Sequence, residues 1–459
     1  MNTSMRAVLP RDERLPQLAR AVDPEAMQRV FEVALREYGS QRVTACQVDR
    51  IKYRPGRNCT VSYCLTIRDE KRGCSYEQRV AGRFCAAGEA VRRHARSRSR
   101  LALTSRCGVP ALVVPSLELF AWFLPNDPKL DALPALLEVA RDGGSALAEA
   151  VAVMTGGDGG TVALEAGLVQ YVPETRACAR FDVALANGRR LRLFAKVDRD
   201  TDGAATHRLM QALYDSPARR EGRLRTPRPL LWQPESGLHW QASVPGVPLL
   251  DAHPHCPPAV AANIGRLVAA LHDTPTPISR EVCGDELQDH AIRCARLLAQ
   301  VEPDWEPRLG KLTLLLEDGA RGARALPLAT LHGDLHPRNL LIDGGRLALI
   351  DLDGACRGPA VLELGAWIAD GLYRAQLDGL PLDTVQEAAA HMLAAYGRCG
   401  RHVVDHRLVA WATARALLCE RAYRGVANLK PGRLERVPSL LAVAELIAAK
   451  GDVLTPLPC

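Results

Sequence analysis

The sequence lacks the features that mark membrane, secreted and zinc-binding proteins. No apolar run approaches the roughly 20 residues of a membrane-spanning helix. The first residues, Met-Asn-Thr-Ser-Met-Arg, contain no apolar stretch of the kind found in a secretory signal peptide. The 14 cysteines form no Cys-x-x-Cys pair and are scattered singly, which argues against a zinc site. We therefore expect a cytoplasmic protein without membrane contact, whose cysteines are reduced thiols.

Two glycine-rich nucleotide-binding motifs are also missing. The strand-rich part of the sequence has no Gly-x-Gly-x-x-Gly loop, and the absence of a Gly-Lys-Ser/Thr loop excludes the P-loop enzymes. The turns Pro55–Asn58 and Pro173–Arg176 are the only candidates to cover phosphate groups. Either turn can also be explained as an ordinary hairpin turn.

The charge is modest and dispersed, apart from one basic run. The 459 residues carry a formal net charge of +7, and this length predicts about three domain-sized units. The run from Arg92 to Arg100 is compatible with contact to an anion or a nucleic acid. We favour a solvated helix face, because no aromatic residues are interleaved that could stack on bases. Nucleic acid is therefore not an expected partner.

The most informative segment is His332-Gly-Asp-Leu-His-Pro-Arg-Asn339, followed by Ile350-Asp-Leu-Asp353. Apolar runs around these residues predict short strands joined by an Asp-Gly-Gly turn, which would form a buried hairpin. Mg²⁺ prefers oxygen ligands, which Asn339 and Asp351 can supply. Asp334 is suited to accept or orient the proton of an acceptor hydroxyl. These residue types in this order predict phosphoryl transfer from a nucleotide.

These two segments closely resemble the catalytic core of the aminoglycoside phosphotransferase family, which has a protein-kinase-like fold and includes choline kinases. The resemblance implies an α+β, bilobal fold with a β-rich small lobe and a mostly helical large lobe. It also implies ATP or GTP and Mg²⁺ as cofactors. By position it implies Asp334 as the catalytic residue, Asn339 and Asp351 as metal ligands, Asp353 as a weaker metal candidate, and His336 as structural support of the loop.

The strand-rich half contains what we interpret as a duplicated small lobe. Lys52-Tyr-Arg-Pro-Gly-Arg57 and Gln170-Tyr-Val-Pro-Glu-Thr175 are each followed by a strand with an aromatic residue, Tyr63 and Phe181, and then by a further strand and a helical pattern. A chance similarity between two strand–turn–strand units is the alternative. The predicted domains are an accessory lobe at residues 1–160, a nucleotide-binding small lobe with its hinge at 161–246, and a helical large lobe with the catalytic loop and substrate pocket at 247–459.

Lys196 is the candidate for nucleotide binding in the second copy. Kinase-like enzymes hold the nucleotide phosphates with a lysine on a strand of the small lobe, although Lys196 could equally be a surface lysine on an edge strand. The matching place in the first copy holds Arg83, which does not replace lysine freely. We therefore interpret the second copy as the working one. Glu89 is better placed to pair with Arg83 than any glutamate is with Lys196, which leaves the choice between the copies open.

A strand that ends at Val244-Pro-Gly246 resembles the hinge of the same family, where backbone groups bind the adenine edge; a plain linker is the alternative.

In the large lobe, Glu363 occupies an acidic place of the family pattern, and we expect it to support the catalytic loop. Between Ala360 and Cys459 the sequence has ten acidic and eleven basic residues, which gives no support to a highly cationic acceptor.

We predict an enzyme that phosphorylates a hydroxyl group of a small molecule, such as a sugar, an amino alcohol, a metabolite or an antibiotic. The alternative is a pseudokinase-like protein that binds a nucleotide or a partner without turnover. A protein kinase is less favoured, because no Asp-Phe-Gly and Ala-Pro-Glu segments follow the loop. The sequence does not indicate an oligomeric state.

Overall fold

The computed structural model describes residues 9–39, 41–157, 160–199, 203–429 and 432–456. The chain divides into two compact units. The first consists of residues 1–203, 230–240 and 426–434, and the second of residues 204–229, 241–425 and 435–459. The glycine-rich segment Met154–Thr161, where we predicted a boundary, lies partly outside the described residues. The three predicted domains stay a prediction.

The first unit contains two five-stranded sheets. The strands of the first sheet are β1 (Gln41–Arg54), β2 (Asn58–Asp69), β3 (Cys74–Cys85), β4 (Ala111–Val114) and β5 (Leu119–Phe123). They pair antiparallel in the order β1-β2-β3-β5-β4. The helices of this part are α1 (Leu18–Ala21), α2 (Pro24–Arg36) and α3 (Glu89–Ser97). Helix α2 places Phe31 against Tyr63 and Phe123, with ring centroids 5.3 and 6.4 Å apart, so the sheet buries its apolar face under this helix.

The second sheet repeats the arrangement of the first. Its strands are β6 (Thr161–Val172), β7 (Arg176–Leu185), β8 (Arg190–Asp198), β9 (Pro229–Gln233) and β10 (Leu238–Ala242), in the order β6-β7-β8-β10-β9. Helices α4 (Leu133–Asp142) and α5 (Gly144–Thr155) precede it, and α6 (Gly203–Tyr214) and α7 (Pro217–Arg220) follow β8. Trp122 of β5 donates a hydrogen bond to the hydroxyl of Tyr171 on β6, 3.0 Å away, which joins the two sheets.

The two sheets share their register as well as their strand order. The first hairpin closes with Arg54 opposite Asn58 in one sheet, and with Val172 opposite Arg176 in the other. Both first strands also carry a β-bulge at the matching place near their start. A bulge is a specific feature of a strand pair rather than a defect, so its repetition indicates that the two sheets are copies of one design.

The second unit is mostly helical and carries short strands. Its strands are β11 (Val247–Pro248), β12 (Leu328–Leu331), β13 (Leu340–Asp343), β14 (Arg346–Leu349) and β15 (Cys356–Pro359). Its helices are α8 (Leu249–Ala252), α9 (Pro258–His272), α10 (Gly284–Val301), α11 (Glu306–Ala323), α12 (Val361–Asp378), α13 (Leu382–Cys399), α14 (His406–Ala416), α15 (Tyr423–Ala427) and α16 (Val437–Lys450). Strand β12 pairs with β15, and β13 forms a hairpin with β14. This confirms the α+β class, with a strand-rich N-terminal part and a helical C-terminal part.

Helices α14 and α15 are divided where the sequence pattern is continuous. The apolar spacing from Asp405 to Arg424 is that of a single helix, but a π-helical turn, Leu417–Ala422, separates α14 from α15. Apolar spacing does not reveal one inserted residue in a buried helix, and π-helical turns often lie at functional sites.

In the part of the chain that the structure describes, no helix has both the length and the apolar character that a membrane span needs.

Candidate active site

The loop after β12 carries Asp334 and is pressed against the segment that follows Asp351. Gly333 has a φ of 76°, a left-handed conformation that glycine adopts freely. A Cβ atom at this position would lie 2.1 Å from the carbonyl oxygen of Gly354. Only glycine therefore allows the two backbones to approach, and this contact holds the two motif segments side by side.

His332 joins the same two segments through its imidazole ring. The side chain is completely buried, and its Nε2 atom donates to the carbonyl of Ile350 at 2.8 Å. Its Nδ1 atom accepts a longer hydrogen bond from the backbone N–H of Asp334 at 3.4 Å. These partners require the neutral tautomer with its proton on Nε2. Our sequence reasoning gave His332 no role, although its place next to Asp334 was a signal.

Glu363, at the start of α12, accepts hydrogen bonds from the loop backbone. Its oxygens lie 3.1 Å from the N–H of His332 and 2.9 Å from that of Gly333. His272 donates to the same carboxylate from Nε2 at 3.0 Å, and its Nδ1 lies 2.8 Å from the hydroxyl of Tyr396. Burial works to raise the pKa of Glu363, but the hydrogen bond and charge of His272 and the hydrogen bond from the backbone N–H of His332 lower it. The buried carboxylate is therefore ionised and holds the loop.

The two proposed metal ligands lie at the start and end of the β13–β14 hairpin. Asn339 is 7% exposed, and its Nδ2 atom donates to the carbonyl of Asp334 at 3.0 Å. The backbone carbonyl of Asn339 accepts a hydrogen bond from the N–H of Ile350, also at 3.0 Å. Asp351 has a φ of 62°, in the left-handed region. Residues with a side chain rarely adopt this backbone conformation, and aspartate tolerates it better than most. Asp353 follows in a 3₁₀ turn and is half-buried.

The chemistry of this donor set fits Mg²⁺. Asn339 uses its Nδ2 atom for the loop, so its Oδ1 atom is the one that can serve as a metal ligand. An amide oxygen and a carboxylate are both hard oxygen ligands, as Mg²⁺ requires. The hairpin pairs the backbone of Asn339 with that of Ile350, next to Asp351, and the role of the two side chains as metal ligands stays a prediction.

Arg424, far away in the sequence, contacts the candidate base. Its guanidinium donates to Oδ1 of Asp334 at 3.3 Å. Burial works to lower the pKa of Arg424, but the charges of Glu420 and Asp334 raise it. On the other side, Nε2 of His336 lies 3.7 Å from Oδ2 of Asp334, and burial lowers the pKa of this histidine. No sequence signal pointed to Arg424, because 90 residues separate it from Asp334.

A cavity of about 730 Å³ opens beside Asp334 within the second unit. Its lining mixes the acidic side chains of Glu281, Glu286, Asp289, Asp334, Glu363 and Glu420 with the arginines Arg280, Arg293, Arg415 and Arg424. The π-helical turn and α15 contribute part of this wall. The interspersed charges do not form a uniformly acidic surface.

Two cysteines and a histidine form a cluster at this cavity. The Sγ atoms of Cys294 and Cys419 and a ring nitrogen of His290 all lie within 4.8 Å of one another. Arg415 can only donate, so Nδ1 of His290 is an acceptor at 3.2 Å, and Nε2 donates to Cys294 at 3.4 Å. Hydrogen bonds from Cys419 and His290 lower the pKa of the Cys294 thiol against the effect of burial. The hydrogen bond to Cys294 and burial raise the pKa of the Cys419 thiol, so the arrangement favours a Cys294 thiolate that accepts a hydrogen bond from a protonated Cys419.

In the first unit, Lys196 and Arg83 occupy matching positions. Arg83 lies opposite Thr60 and Lys196 opposite Cys178, which are the third residues of β2 and β7. Lys196 is half-buried on β8. The match between the two copies that we inferred from the sequence therefore extends to these two residues.

The partner we expected for Arg83 is wrong. Glu89 binds Arg93 at 3.0 Å, one helical turn along α3, while Arg83 forms a buried ion pair with Glu174. A helical i, i+4 pair is local and needs no tertiary contact. Val244, the proposed hinge residue, lies half-buried in the loop between β10 and β11.

Each sheet holds its first hairpin turn with one aspartate. Oδ2 of Asp12 accepts from the hydroxyl of Tyr53 and from the N–H of Gly56, both at 2.8 Å. This aspartate belongs to the string Leu9-Pro-Arg-Asp-Glu-Arg-Leu15, ahead of the first sheet. The turn is thereby fixed to a segment outside the sheet.

The second sheet repeats this device with three other residues. Oδ2 of Asp127 accepts from the hydroxyl of Tyr171 at 2.7 Å and from the N–H of Glu174 at 2.8 Å. Asp127 lies in Leu124-Pro-Asn-Asp-Pro-Lys-Leu130, a string similar to the one around Asp12. Both strings precede the segments whose similarity indicated the duplication, and their own similarity was a further sequence signal of it.

Comparison with known proteins agrees with this geometry. Residues 176–402 match the model of a family described as the phosphotransferase enzyme family. No curated protein is similar enough in sequence to count as a relative of this chain.

Several solved structures are similar to this one. The complex of a thermostable mutant of aminoglycoside phosphotransferase APH(4)-Ia with ADP and hygromycin B is 16% identical, with a TM-score of 0.44, and the match covers 66% of this chain and 97% of that one. Choline kinase from Cryptosporidium parvum Iowa II is 13% identical, with a TM-score of 0.44 and coverages of 64% and 92%. Aminoglycoside phosphotransferase APH(3'')-Id from Streptomyces rimosus is 20% identical, with a TM-score of 0.37 and coverages of 60% and 98%.

Because these TM-scores are below 0.5, we draw no conclusion about this chain from those three proteins. The family model carries the assignment, and its match includes the catalytic loop, the hairpin and Glu363. Residues 176–402, just under half of the chain, match the phosphotransferase enzyme family, and the chain is a kinase-like phosphotransferase.

Proposed function

We propose that this protein transfers the γ-phosphoryl group of ATP or GTP to a hydroxyl group of a small molecule in the presence of Mg²⁺. The observation that carries the proposal is the fixed arrangement of Asp334 and Asn339, joined by a 3.0 Å hydrogen bond, beside the segment of Asp351. Phosphoryl transfer needs positioning and charge neutralisation more than covalent chemistry. The buried contacts of Gly333, His332 and Glu363 supply the rigidity for that positioning.

Each side chain of the loop has a distinct role in this proposal. Asp334 accepts or orients the proton of the acceptor hydroxyl, and Arg424 holds one of its oxygens in place. Asn339 and Asp351 supply oxygen ligands for Mg²⁺, with Asp353 as a further candidate. Bound Mg²⁺ would neutralise charge on the phosphate oxygens.

The nucleotide contacts belong to the first unit and the following loop. We assign Lys196 to the α- and β-phosphates and the backbone at Val244 to the adenine edge. His336 and Glu363 support the loop without taking part in the chemistry. We place the enzyme in the cytoplasm, because the 13 cysteines among the described residues are free thiols.

The acceptor is a small polar alcohol that is either uncharged or carries one positive and one negative group. The cavity beside Asp334 has acidic and basic side chains close together, which suits a neutral or zwitterionic molecule better than a strongly cationic one. A volume of about 730 Å³ is in the range of small-molecule sites. Turnover restricted to aminoglycosides would contradict this acceptor class.

The catalytic assignment is tested with Asp334→Asn, which keeps the size of the side chain. We expect kcat to fall about 10²–10⁴-fold, since a positioned acid or base contributes that much. Transfer from labelled ATP to a panel of acceptors, with and without Mg²⁺, is measured by mass spectrometry. The matched control is Asp343→Asn, an aspartate of the hairpin turn that pairs with Arg225 and should leave kcat unchanged.

The rival function is a pseudokinase-like binding protein. Such a protein would bind nucleotide without Mg²⁺-dependent transfer to any acceptor of the panel. Equal transfer rates for wild type and Asp334→Asn would show that transfer occurs without the proposed base.

A further inference from the structure

The first unit contains a strongly basic cavity that the proposed transfer reaction does not use. It has a volume of about 690 Å³ and is lined by residues of both sheets and of α3. Its basic lining residues are Arg83, Arg93, Arg96, Arg100, Lys129 and Arg199. Only two acidic side chains, Asp131 and Glu174, are part of the same wall. The lining therefore carries a clear excess of positive charge.

The basic run Arg92–Arg100 is divided between this cavity and the solvent. Arg93 and Arg96 lie one helical turn apart on α3, and Arg100 follows in a 3₁₀ turn; all three line the cavity. Arg92 and Arg98 are exposed and are not part of the wall. Our interpretation of the run as a solvated helix face thus describes only part of it.

The deepest cation of the cavity is Arg83, which occupies the place that Lys196 has in the second sheet. Its guanidinium is held by the carboxylate of Glu174 and by the hydroxyl of Thr60, the latter at 3.2 Å. Glu174 also pairs with Lys129 at 3.4 Å. Glu174 thus binds two cations of the cavity. Of the other four arginines, Arg93 pairs with Glu89 at 3.0 Å, and Arg100 and Arg199 donate to the backbone carbonyls of Pro128 and Glu174. These contacts fix the guanidiniums at the wall, where basic side chains outnumber carboxylates.

The unbalanced charge has a visible effect on Lys129. Burial and the nearby guanidiniums of Arg83, Arg199, Arg54 and Arg93 lower the pKa of this lysine to about 8. Burial is the larger cause, and repulsion by the neighbouring guanidiniums adds to it. An anion bound in the cavity would relieve that repulsion.

We propose that this cavity binds a small molecule that carries a diphosphate group, at a site separate from the one that serves phosphoryl transfer. Guanidinium groups bind phosphate oxygens in pairs, and a group with several charges can contact several arginines at once. The volume suits a small molecule rather than a long polymer. The first sheet therefore has a binding function of its own.

Inorganic pyrophosphate, without Mg²⁺ and with a chelator present, is the probe. Titration calorimetry of the full chain should show saturable binding both in wild type and in Lys196→Met, which removes the phosphate contact of the second sheet. The lining variant Arg96→Gln/Lys129→Gln, made in the Lys196→Met background, should weaken binding about tenfold or more, equivalent to about 1.4 kcal/mol. Both replaced side chains are exposed, so the fold should be preserved.

The matched control is Arg92→Gln/Arg98→Gln in the same background. It removes two positive charges, as the lining variant does, but takes both from the basic run and leaves the cavity wall intact. Its affinity should stay within about twofold of the parent. Absence of saturable binding, loss of binding in Lys196→Met alone, or equal weakening by the two double variants would each overturn the proposal. The last result would mean that pyrophosphate responds only to net charge.

Discussion

The two sheets of the first unit share their strand order and hairpin contacts, but they differ at one strand position and one turn position that bear on the proposed function. Both have the same strand order. In both, one aspartate accepts hydrogen bonds from a tyrosine hydroxyl and from a backbone N–H of the first hairpin turn, an arrangement that we call the aspartate–tyrosine clasp. At one matched strand position the first sheet has Arg83 and the second has Lys196. At one matched turn position the first has Gly56 and the second has Glu174, both in the left-handed region with φ of 65° and 59°.

These two differences are linked. Glu174 of the second sheet reaches Arg83 of the first and forms a buried ion pair with it. The arginine in the first sheet is therefore bound within the protein, and the lysine of the second is the one assigned to the nucleotide. A duplicated framework can keep its clasp and its register while a single side chain at each copy takes a different role.

The largest effect is expected from exchanging the matched cations for methionine, one at a time. Lys196→Met should lower kcat/KM about 10²–10³-fold, as loss of one preorganised charge contact does. Arg83→Met should leave the rate of the folded fraction close to that of wild type. Steady-state kinetics with varied ATP distinguishes them, and the reverse outcome would make the first sheet the working one.

The next effect concerns the free energy of unfolding. Arg83→Met should reduce it by about 3 kcal/mol, because Glu174 is left buried with only the half-exposed Lys129 beside it. The double variant Arg83→Met/Glu174→Met should recover most of this loss, since no uncompensated charge remains. Chemical denaturation of the three proteins measures the difference. A double variant as unstable as the single one would show that the ion pair is not what Arg83 contributes.

The smallest effect concerns the turn. Gly56→Ala should lower the free energy of unfolding by about 1–2 kcal/mol, the usual cost of a left-handed conformation for a residue with a Cβ atom. The nearest atom to that Cβ would be Cδ of Arg14 at 4.0 Å, so no clash contributes. Denaturant unfolding measures the change. An unchanged stability would indicate that the clasp by Asp12 does not enforce the turn.

Local patterns predicted the loop well. The strands around Asp334 and the Asp-Gly-Gly turn are short-range features, and the structure has them as β12, β13 and β14. Glu363 was also predicted as support of the loop, and it accepts hydrogen bonds from two loop N–H groups. Motif spacing works here because hydrogen bonds within and beside a hairpin depend on neighbours in the sequence.

Long-range partners were not predictable in the same way. His290 and Cys294 lie on α10 and Cys419 lies in the π-helical turn, so their approach depends on how these two elements pack. The expectation for Glu89 failed for the related reason that a buried arginine takes its partner from another sheet. Side-chain pairing across elements depends on packing that apolar periodicity does not encode.

The sequence by itself determined the reaction class, because the residues proposed to bind metal and to orient a hydroxyl lie within one short segment whose order and residue types are chemically restricted. It also indicated the duplication, through strand patterns that the sheets repeat. Only the tertiary structure decided that Arg424 contacts Asp334, that Arg83 is paired with Glu174, and that part of the basic run lines a cavity. Those facts depend on distances between elements far apart in the chain, which burial of apolar surface sets during folding.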